Sequence, residues 1–524
     1  MRTISRLSAA PPVPALMVQG VSSNAGKSLL TAALCRLLTR RGLKTAPFKA
    51  QNMALNSFVT DDGKEMARAQ ALQAAACGLS ADVRMNPVLL KPTSHTGAQI
   101  IVMGEPVGQM RVREYHLYKT KAWRAVRKAY KSLCVGKDVM VLEGAGSPAE
   151  INLKAHDIVN MRMARLADAR VLLVADIDRG GAFAALVGTM SLLGRADRAR
   201  VAGYVLNKFR GDATLLTSAF TAVSSRTRRP FLGVIPMLKD LHLPEEDSVS
   251  FKLGITPGLF TSTGPDKTCP PQTLDIAVTD LPHISNFTDL DALRAEHGVR
   301  VRILRRAEDF GVPHAVILPG SKNTVADMRF LQKTGLAEAI CRFSKQDNAT
   351  VVGICGGLQM LGQRIDDPLC IEDGGRAAGL GLLPLRTRLR EVKQLRRVAG
   401  RMLETVAGTA LSVEGYEIRH GQSEPISRRK KHDRMAPVME DTAGRVLGWG
   451  RLEPDGRARV WGAYLHGLFD ADAFRHAFLN SLREKACFAP QTGCVYSLGP
   501  ELDRLADVVE QNLNMLSVYS LLGV

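Results

Sequence analysis

The sequence contains no uninterrupted apolar run near the roughly 18 residues that a membrane-spanning helix needs, which excludes a transmembrane protein. Its first residues, MRTISRLSAAPPVPA, lack the apolar core of a secretory signal peptide. Cysteine is scarce too: the nine cysteines form no CxxC pair and have no regular spacing, which argues against a disulfide scaffold or a zinc site. We therefore expect a reduced, soluble, cytoplasmic protein.

Acidic residues are outnumbered, with 51 Asp and Glu against 70 Lys and Arg and a net charge of +19. The basic residues are densest at 386–401, at 428–434 and in a helix-like stretch, 119–131, which carries Trp123 and Tyr130. Rings in a basic surface can stack on bases, but no helix-turn-helix, RNP or zinc-finger pattern accompanies the charge. We expect neither a nucleic-acid nor a membrane partner. An ordinary solvated surface and a polycarboxylate substrate remain the two explanations of the charge, and the oligomeric state stays open.

Two series of strand-like and helical stretches alternate along the 524 residues, which predicts α/β architecture with parallel sheets. The first series has predicted strands at 15–19, 139–143, 171–175, 201–206 and 231–234, with helices at 28–41, 65–77 and 121–134. The second has predicted strands at 275–278, 299–304, 315–318, 350–353, 446–448 and 460–464. Between them lies a Thr-, Pro- and Gly-rich stretch, typical of a linker. Residues 386–436 have no clear periodicity, and an amphipathic helix is predicted at 500–522.

A phosphate-binding loop follows the first predicted strand. The segment Gly20-Val-Ser-Ser-Asn-Ala-Gly-Lys-Ser28 opens a helix, with five residues between Gly20 and Gly26 rather than the usual four. Backbone N–H groups in such a turn point at phosphate oxygens, and the helix N-terminus adds its positive dipole end. The predicted ATP-binding residues of this loop are Ser22, Ser23, Asn24, Ala25, Gly26, Lys27 and Ser28.

A P-loop magnesium ion needs a carboxylate from the end of another strand, beside the hydroxyl of Ser28. Glu143, which closes a predicted strand, fits this role, although it could instead cap the following turn. Glu65 is a further metal candidate. Lys49 is a second cation for the same crevice, or an ordinary solvated lysine, and Asn207 stands where the sheet could present a contact to adenine.

The second half contains a candidate thiol nucleophile. Cys355 lies between a predicted strand and a helix in the glycine-rich segment VVGICGGLQ. Such a turn exposes the side chain, offers backbone N–H groups as an oxyanion hole, and favours the thiolate through the helix dipole. A thiolate mechanism needs a histidine that moves the proton. His466, followed by glycine after a predicted strand, is the first candidate, and His420 the second.

A series of segments over nearly the whole chain adds to these motifs. They are GVSSNAGKS, PFKAQNMALNSFVT, ARAQALQAAACG, MNPVLLKPTSHTGAQIIVMG, LEGAGSPAEINL, ADIDRGGAFA, LPGSKNT, GICGGLQMLG, GYEI and YLHGLFD. In this order they resemble the cobyric acid synthases, glutamine-dependent amidases of the cobalamin pathway. The resemblance implies a P-loop parallel-sheet ATPase domain similar to dethiobiotin synthetase, followed by a class I glutamine amidotransferase α/β domain. The boundaries we expect are 1–250 for the ATP-binding amidoligase domain, 251–273 for the linker, 274–480 for the amidotransferase domain and 481–524 for a C-terminal helical segment.

The resemblance also implies a reaction. Its substrate would be adenosylcobyrinic acid a,c-diamide, with ATP, Mg²⁺ and glutamine used to amidate the b, d, e and g carboxylates through acyl phosphates. It gives Cys355 and His466 catalytic roles, Gly320 and Gly357 oxyanion-hole roles, and Gln359 a glutamine-binding role.

Two positions depart from the expected pattern. Leu468 stands where most class I amidotransferases carry glutamate, so we expect a Cys–His dyad without a third acid, and Arg419 stands where histidine is expected. Two rival functions remain open: cobyrinic acid a,c-diamide synthase, a relative with the same chemistry, and a partition-type ATPase that binds DNA through basic residues. Cys355 and His466 argue against the second, because a DNA-binding scaffold has no use for them.

Overall fold

The structure, a computed structural model, describes residues 13–92, 97–238, 241–244, 259–260, 272–426 and 434–524. The predicted linker 251–273 and the basic stretch 428–434 therefore lie almost wholly outside the described residues, as do the first twelve residues.

The first half is built on a six-stranded sheet in which every pair of neighbours is parallel. Its strands lie in the order Phe231–Pro236, Val201–Phe209, Arg170–Asp176, Ala15–Gly20, Val139–Glu143 and Thr45–Phe48. The helices of this half are Lys27–Arg40, Arg68–Ala76, Val112–Leu133, Met161–Leu166, Ala182–Leu192, Arg195–Arg200 and Thr217–Thr227. The central strands are apolar and buried along their length, as strands covered on both faces must be.

Smaller elements extend this half beside the sheet. A four-stranded sheet runs in the order Gln51–Met53, Val88–Pro92, Gly97–Val102 and Glu105–Arg111, and a hairpin pairs Ser57–Val59 with Glu65–Ala67. One 3₁₀ turn, Lys154–His156, lies after the strand that ends at Glu143. The helix predicted over 65–77 is thus wrong at its start, because residues 65–67 form a strand before the helix begins at Arg68.

The second half is built on a twelve-stranded sheet, parallel over its first part and mainly antiparallel beyond. The strands lie in the order Leu259–Phe260, Val299–Leu304, Leu274–Thr279, Ala315–Leu318, Thr350–Ile354, Ala458–Ala463, Val446–Leu452, Met435–Asp441, Leu385–Met402, Arg364–Asp367 and Gly375–Ala378, and Leu411–Pro425 pairs with Leu385–Met402. The helices are Asp291–Arg294, Thr324–Lys333, Leu336–Phe343, Gly356–Leu361, Glu404–Ala407 and Asp472–Lys485.

The C-terminal segment returns to the first half of the chain. It forms two helices, Leu498–Asn512 and Met515–Leu522. The first packs on helix Lys27–Arg40 and buries Leu502 and Leu505 in the same apolar cluster as that helix. Arg36 Nε donates to Asp503 Oδ1 at 2.8 Å across the contact. The P-loop helix is therefore held between its own sheet and the end of the chain.

Many of the basic side chains that stand out in the sequence are paired within the molecule. Residues 386–401 lie in strand Leu385–Met402, where Arg386 pairs with Asp366 at 2.8 Å and Arg396 with Glu417 at 2.7 Å. In the helix over 112–133, Tyr130 packs on Phe48 with ring centroids 5.0 Å apart. Part of the positive charge is thus structural. Among the described residues, no helix is long and apolar enough to cross a bilayer.

Candidate active sites

The backbone of the P-loop requires a glycine at position 26. Gly26 has φ +91°, in the left-handed region, and a Cβ there would lie 1.9 Å from Asn207 Nδ2. Asn207 donates to the carbonyl of Ala25 at 2.9 Å. Lys27 reaches back across the loop and donates to the carbonyl of Ser22 at 3.0 Å. The loop is therefore braced by strand Val201–Phe209, which carries Asn207 and lies two strands away in the sheet, with helix Lys27–Arg40 starting directly behind the loop.

Glu143 is the centre of a buried polar cluster behind the P-loop. Its carboxylate is 1% exposed. Oε1 accepts hydrogen bonds from Ser28 Oγ at 2.7 Å and from Lys49 Nζ at 2.9 Å. Oε2 accepts from the amides of Gln73 at 2.6 Å and Gln70 at 3.2 Å. The structure thus brings together three residues chosen from the sequence, Ser28, Lys49 and Glu143, and adds two glutamines that sequence reasoning missed.

The two missed glutamines have a recognisable signal. They lie three residues apart on helix Arg68–Ala76, which places them on one face. A buried amide at each of two such positions needs a polar partner, and that partner is the carboxylate of Glu143.

The donors at this site fit a magnesium ion. Ser28 Oγ and Glu143 Oε1 are hard oxygen donors 2.7 Å apart at the P-loop. Mg²⁺ prefers oxygen ligands and keeps several waters or phosphate oxygens, so it does not need a cage of protein side chains. Accordingly, the described residues contain no group of three His, Cys, Asp or Glu side chains that could hold a metal by themselves.

Cys355 occupies a sharp turn between strand Thr350–Ile354 and helix Gly356–Leu361. Its φ is +50° with ψ −102°, an unusual conformation for a residue with a side chain. The flanking glycines are required by close contacts: a Cβ on Gly357 would lie 2.0 Å from the carbonyl oxygen of Leu318, and one on Gly356 would lie 2.7 Å from the amide of Ser321. The first amides of the helix have no carbonyl partner four residues back, which leaves them for an oxyanion.

His466 lies against the cysteine turn and is bound to an acid. Its Nδ1 is 2.7 Å from Asp289 Oδ2, and the Gly467 amide donates to Asp289 Oδ1 at 2.8 Å. Burial by itself would lower the pKa of His466, but the charge of Asp289 and the contact with the Cys355 thiol outweigh burial and raise it. The imidazolium form is therefore stabilised next to the nucleophile.

Comparison with known proteins matches each half of the chain to a domain family. Residues 16–251 match the CobQ/CobB/MinD/ParA nucleotide binding domain, and residues 275–474 match the CobB/CobQ-like glutamine amidotransferase domain. The cobyric acid synthase of Nitratidesulfovibrio vulgaris is 53% identical, with 98% of each chain covered. That of Moorella thermoacetica is 46% identical, with 97% of each chain covered. The chain belongs to the cobyric acid synthase family.

A further relative is a longer protein that contains a region similar to the whole of this chain. The bifunctional adenosylcobalamin biosynthesis protein CobDQ of Leptospira interrogans is 45% identical over the whole of this chain, which covers 58% of that protein. Membership of the cobyric acid synthase family makes the chain a glutamine-dependent ligase of cobalamin biosynthesis that uses ATP. The α/β fold class predicted from the sequence, a P-loop domain followed by an amidotransferase domain, is confirmed.

A third acid beside His466 corrects an expectation from the sequence. Leu468 is not an acid, as the sequence shows. Asp289, which lies early in the sequence of the amidotransferase half, contacts His466 instead. The expected dyad without a third acid is therefore wrong. Asp289 lies in the 3₁₀ turn Phe287–Leu290, just after the first strand of the domain. The usual position of this acid, two residues past the histidine, is Leu468, which carries no charge. The sequence signal for a third acid was therefore the pair of acids in TDLD, after a predicted strand.

Glu65 is a second correction. It does not face the metal donors of the P-loop, because its carboxylate is fully buried and bound elsewhere. Oε1 accepts from Ser57 Oγ and Lys91 Nζ, both at 2.8 Å, and Oε2 accepts from Lys393 Nζ in the amidotransferase half. Burial would raise the pKa of Glu65, but the two ammonium groups outweigh it and hold the pKa well below its usual value. Glu65 therefore joins the two halves.

The remaining predicted residues of the second half lie around the cysteine turn or close to it. A Cβ on Gly320 would be 2.9 Å from His466 Cε1, so this backbone borders the catalytic histidine. Gln359 is buried beside Gly421, and its Oε1 has no hydrogen-bond partner among the described residues. His420, the second candidate base, instead bonds the carbonyl of Arg390. Arg419, at the other departure from the pattern, lies 3.8 Å over the ring of Tyr464.

Proposed function

We propose that the chain converts adenosylcobyrinic acid a,c-diamide into adenosylcobyric acid by amidating its b, d, e and g carboxylates, each with one ATP and one glutamine. One observation carries the proposal: a single chain contains a P-loop with a buried carboxylate cluster and a cysteine turn with His466 and Asp289. A carboxylate must be activated before ammonia can attack it. The P-loop site activates the carboxylate, and the Cys355 site releases the ammonia.

Activation takes place at the P-loop. The corrinoid carboxylate attacks the γ-phosphorus of ATP, ADP leaves, and an acyl phosphate forms. Lys27 and the loop amides hold the phosphate oxygens, and Lys49 neutralises charge that develops on the transferred group. Ser28 and Glu143 would hold Mg²⁺, which supplies neutralising charge at the phosphates. Asn207 supports the nucleotide from its place against Ala25 and Gly26.

Ammonia is released at Cys355. The thiolate attacks the side-chain carbonyl carbon of glutamine, and the oxyanion is stabilised by backbone N–H groups near Gly320 and Gly357. His466 gives its proton to the departing nitrogen, which leaves a glutamyl thioester and ammonia. Water, deprotonated by His466, then hydrolyses the thioester to glutamate. The buried Oε1 of Gln359, which lacks a partner among the described residues, is available to accept a hydrogen bond from bound glutamine.

Ammonia completes each turnover at the first site. Its nitrogen attacks the carbonyl carbon of the acyl phosphate, phosphate leaves, and loss of one proton gives the amide. The ion pair of Glu65 and Lys393 lies between the halves and supports a fixed arrangement of the two sites during this transfer.

The test is a product analysis. The protein is incubated with adenosylcobyrinic acid a,c-diamide, ATP, Mg²⁺ and glutamine, and products are separated by chromatography and counted by mass spectrometry. We expect a product with four new amides that forms only with ATP. Two amides added instead to unamidated cobyrinic acid, with no change of the diamide, would overturn the proposal in favour of a,c-diamide synthesis.

A further inference from the structure

The cavity at the P-loop extends to a rim of exposed apolar side chains that nucleotide chemistry does not use. The cavity has a volume of about 590 Å³, and Met53 and Leu153 line it together with Lys27, Ser28 and Lys49. Met53 is 57% exposed. Large apolar side chains left in water at the mouth of a polar cavity mark a binding surface.

A further apolar side chain adjoins the two that line the cavity. Ile151 is 65% exposed and lies two residues before Leu153. The apolar surface is therefore wider than the cavity wall.

Three segments of the chain are tied together at this rim. Tyr115, in helix Val112–Leu133, donates from its hydroxyl to Gln51 Oε1 at 2.6 Å, which joins that helix to strand Gln51–Met53. The rings of His116 and His156 are stacked with centroids 4.5 Å apart, which joins the same helix to the turn Lys154–His156. The strand that carries Met53 and the turn after Leu153 thus both contact one helix, which places the exposed side chains on one surface.

Two lysines flank the apolar rim. Lys119 and Lys154 both line the cavity. Three acids also line the cavity: Asp157 accepts hydrogen bonds from the amides of Val159 and Asn160 at 2.9 Å, Asp197 pairs with Arg165, and Glu150 is the third. An apolar surface with amines at its border matches a flat macrocycle that carries carboxylates on its periphery.

On the basis of the proposed function, we propose that this rim is the corrin seat, formed by Met53, Ile151 and Leu153 with Lys119 and Lys154. The macrocycle lies on the apolar side chains, and carboxylates at its edge pair with the lysines. The carboxylate that reacts enters the cavity toward Lys49, which lies between strand Thr45–Phe48 and strand Gln51–Met53. Because apolar contact is not directional, the ring can rebind in several orientations, which four amidations at one P-loop require.

The test compares a charged variant of the seat with a matched control. Ile151→Asp/Leu153→Asp places two carboxylates on the apolar surface, and Val312→Asp changes an exposed apolar residue in the other half. Equilibrium dialysis measures the Kd for cobyrinic acid a,c-diamide by its corrin absorbance, and the Kd for ATP is measured in parallel. We expect the double variant to raise the corrinoid Kd by about tenfold or more and the ATP Kd by less than about twofold. The control should change neither.

A second pair of variants keeps the test independent of the introduced charges. Lys119→Ala and Lys154→Ala should each raise the corrinoid Kd by roughly threefold to tenfold, with a weaker dependence on salt than in the unaltered protein. An unchanged corrinoid Kd, or equal losses for corrinoid and ATP, would overturn the corrin seat. If the unaltered protein amidates the diamide, the proposed function survives that result; if it neither binds nor amidates the diamide, the proposed function fails as well.

Discussion

Asp289 and His466 are 177 positions apart in the chain, yet Asp289 Oδ2 lies 2.7 Å from His466 Nδ1. A carboxylate can only accept a hydrogen bond, so Nδ1 carries the proton and Nε2 is left for the thiol of Cys355. The Gly467 amide holds the second carboxylate oxygen and so fixes the orientation of the acid. The ring of Tyr416 stacks on the imidazole from one side, with centroids 5.3 Å apart. The imidazole is thus held in one orientation and one plane, with Nδ1 toward Asp289.

Asp289→Asn should lower the kcat of glutamine hydrolysis by about two orders of magnitude. The pKa of His466 is raised in the folded protein, chiefly by Asp289 against the opposing effect of burial. The imidazolium is lost as pH rises through that pKa, so removal of the Asp289 charge should move the alkaline limb of the pH–rate profile to lower pH. Steady-state glutaminase assays across pH measure both effects. Asp291→Asn, two residues away, is the matched control, and an unshifted profile in Asp289→Asn would show that the acid does not act on His466.

Cys355→Ser should abolish amidation with glutamine and retain amidation with free ammonia, because only the release of ammonia needs the thiolate. Lys27→Ala should abolish amidation from either nitrogen source while glutamine hydrolysis continues, because activation of the carboxylate takes place at the P-loop. Amide formation and glutamate release, measured in the same samples, separate the two losses. Loss of the ammonia-dependent reaction in Cys355→Ser would mean that the cysteine is structural.

Glu143→Gln should destabilise the first half of the molecule by about 3 kcal/mol, because it leaves the ammonium of Lys49 buried without its charge partner. The melting transition should fall by at least about 5 °C, as measured by scanning calorimetry. Glu484→Gln is the matched control: it breaks an exposed pair with Arg457, and such pairs contribute less than about 1 kcal/mol. Equal stability of both variants would mean that Glu143 is not held as an ion pair.

Glu65→Gln should weaken the contact between the two halves in a pH-dependent way. The pKa of Glu65 is held below its ordinary value near 4.5, so its contribution is fully present above that value and is lost as pH falls through the lower pKa of the folded state. The difference in melting temperature from the unaltered protein should therefore be largest at pH 7 and smaller at pH 3. Asp62→Asn, at an exposed carboxylate near the same hairpin, serves as control. A difference that grows on acidification would contradict this sign.

Much of the fold could be predicted because its strands and turns are local patterns. The strands over 139–143, 299–304 and 315–318 have the predicted bounds, since a short apolar run between turn residues leaves little choice of register. The P-loop and the turn at Cys355 were recognisable for a similar reason: glycines at fixed offsets report backbone that approaches other atoms closely. The contacts at Gly26 and Gly357 bear this out.

Strand Leu385–Met402 was missed although its start alternates in burial, with Leu385, Thr387 and Leu389 inside and the arginines between them outside. Arginine is frequent at those outward positions, so the dense charge obscured the two-residue alternation that is typical of a strand. The alternation is lost farther along the strand, where partly buried basic residues such as Lys393 reach acids of other elements.

The sequence by itself determined the phosphate-binding turn, the turn of the nucleophile Cys355, the order of the domains and the family, because each turn and each family segment is a short run of neighbouring residues. Only the tertiary structure decided which acids serve those turns. Asp289 reaches His466, and Glu65 is bound by Lys393 instead of facing the P-loop, because the packing of distant elements sets the distance between their side chains. A carboxylate has the same chemistry at every position in a sequence, and its role follows from the charge that the fold places beside it.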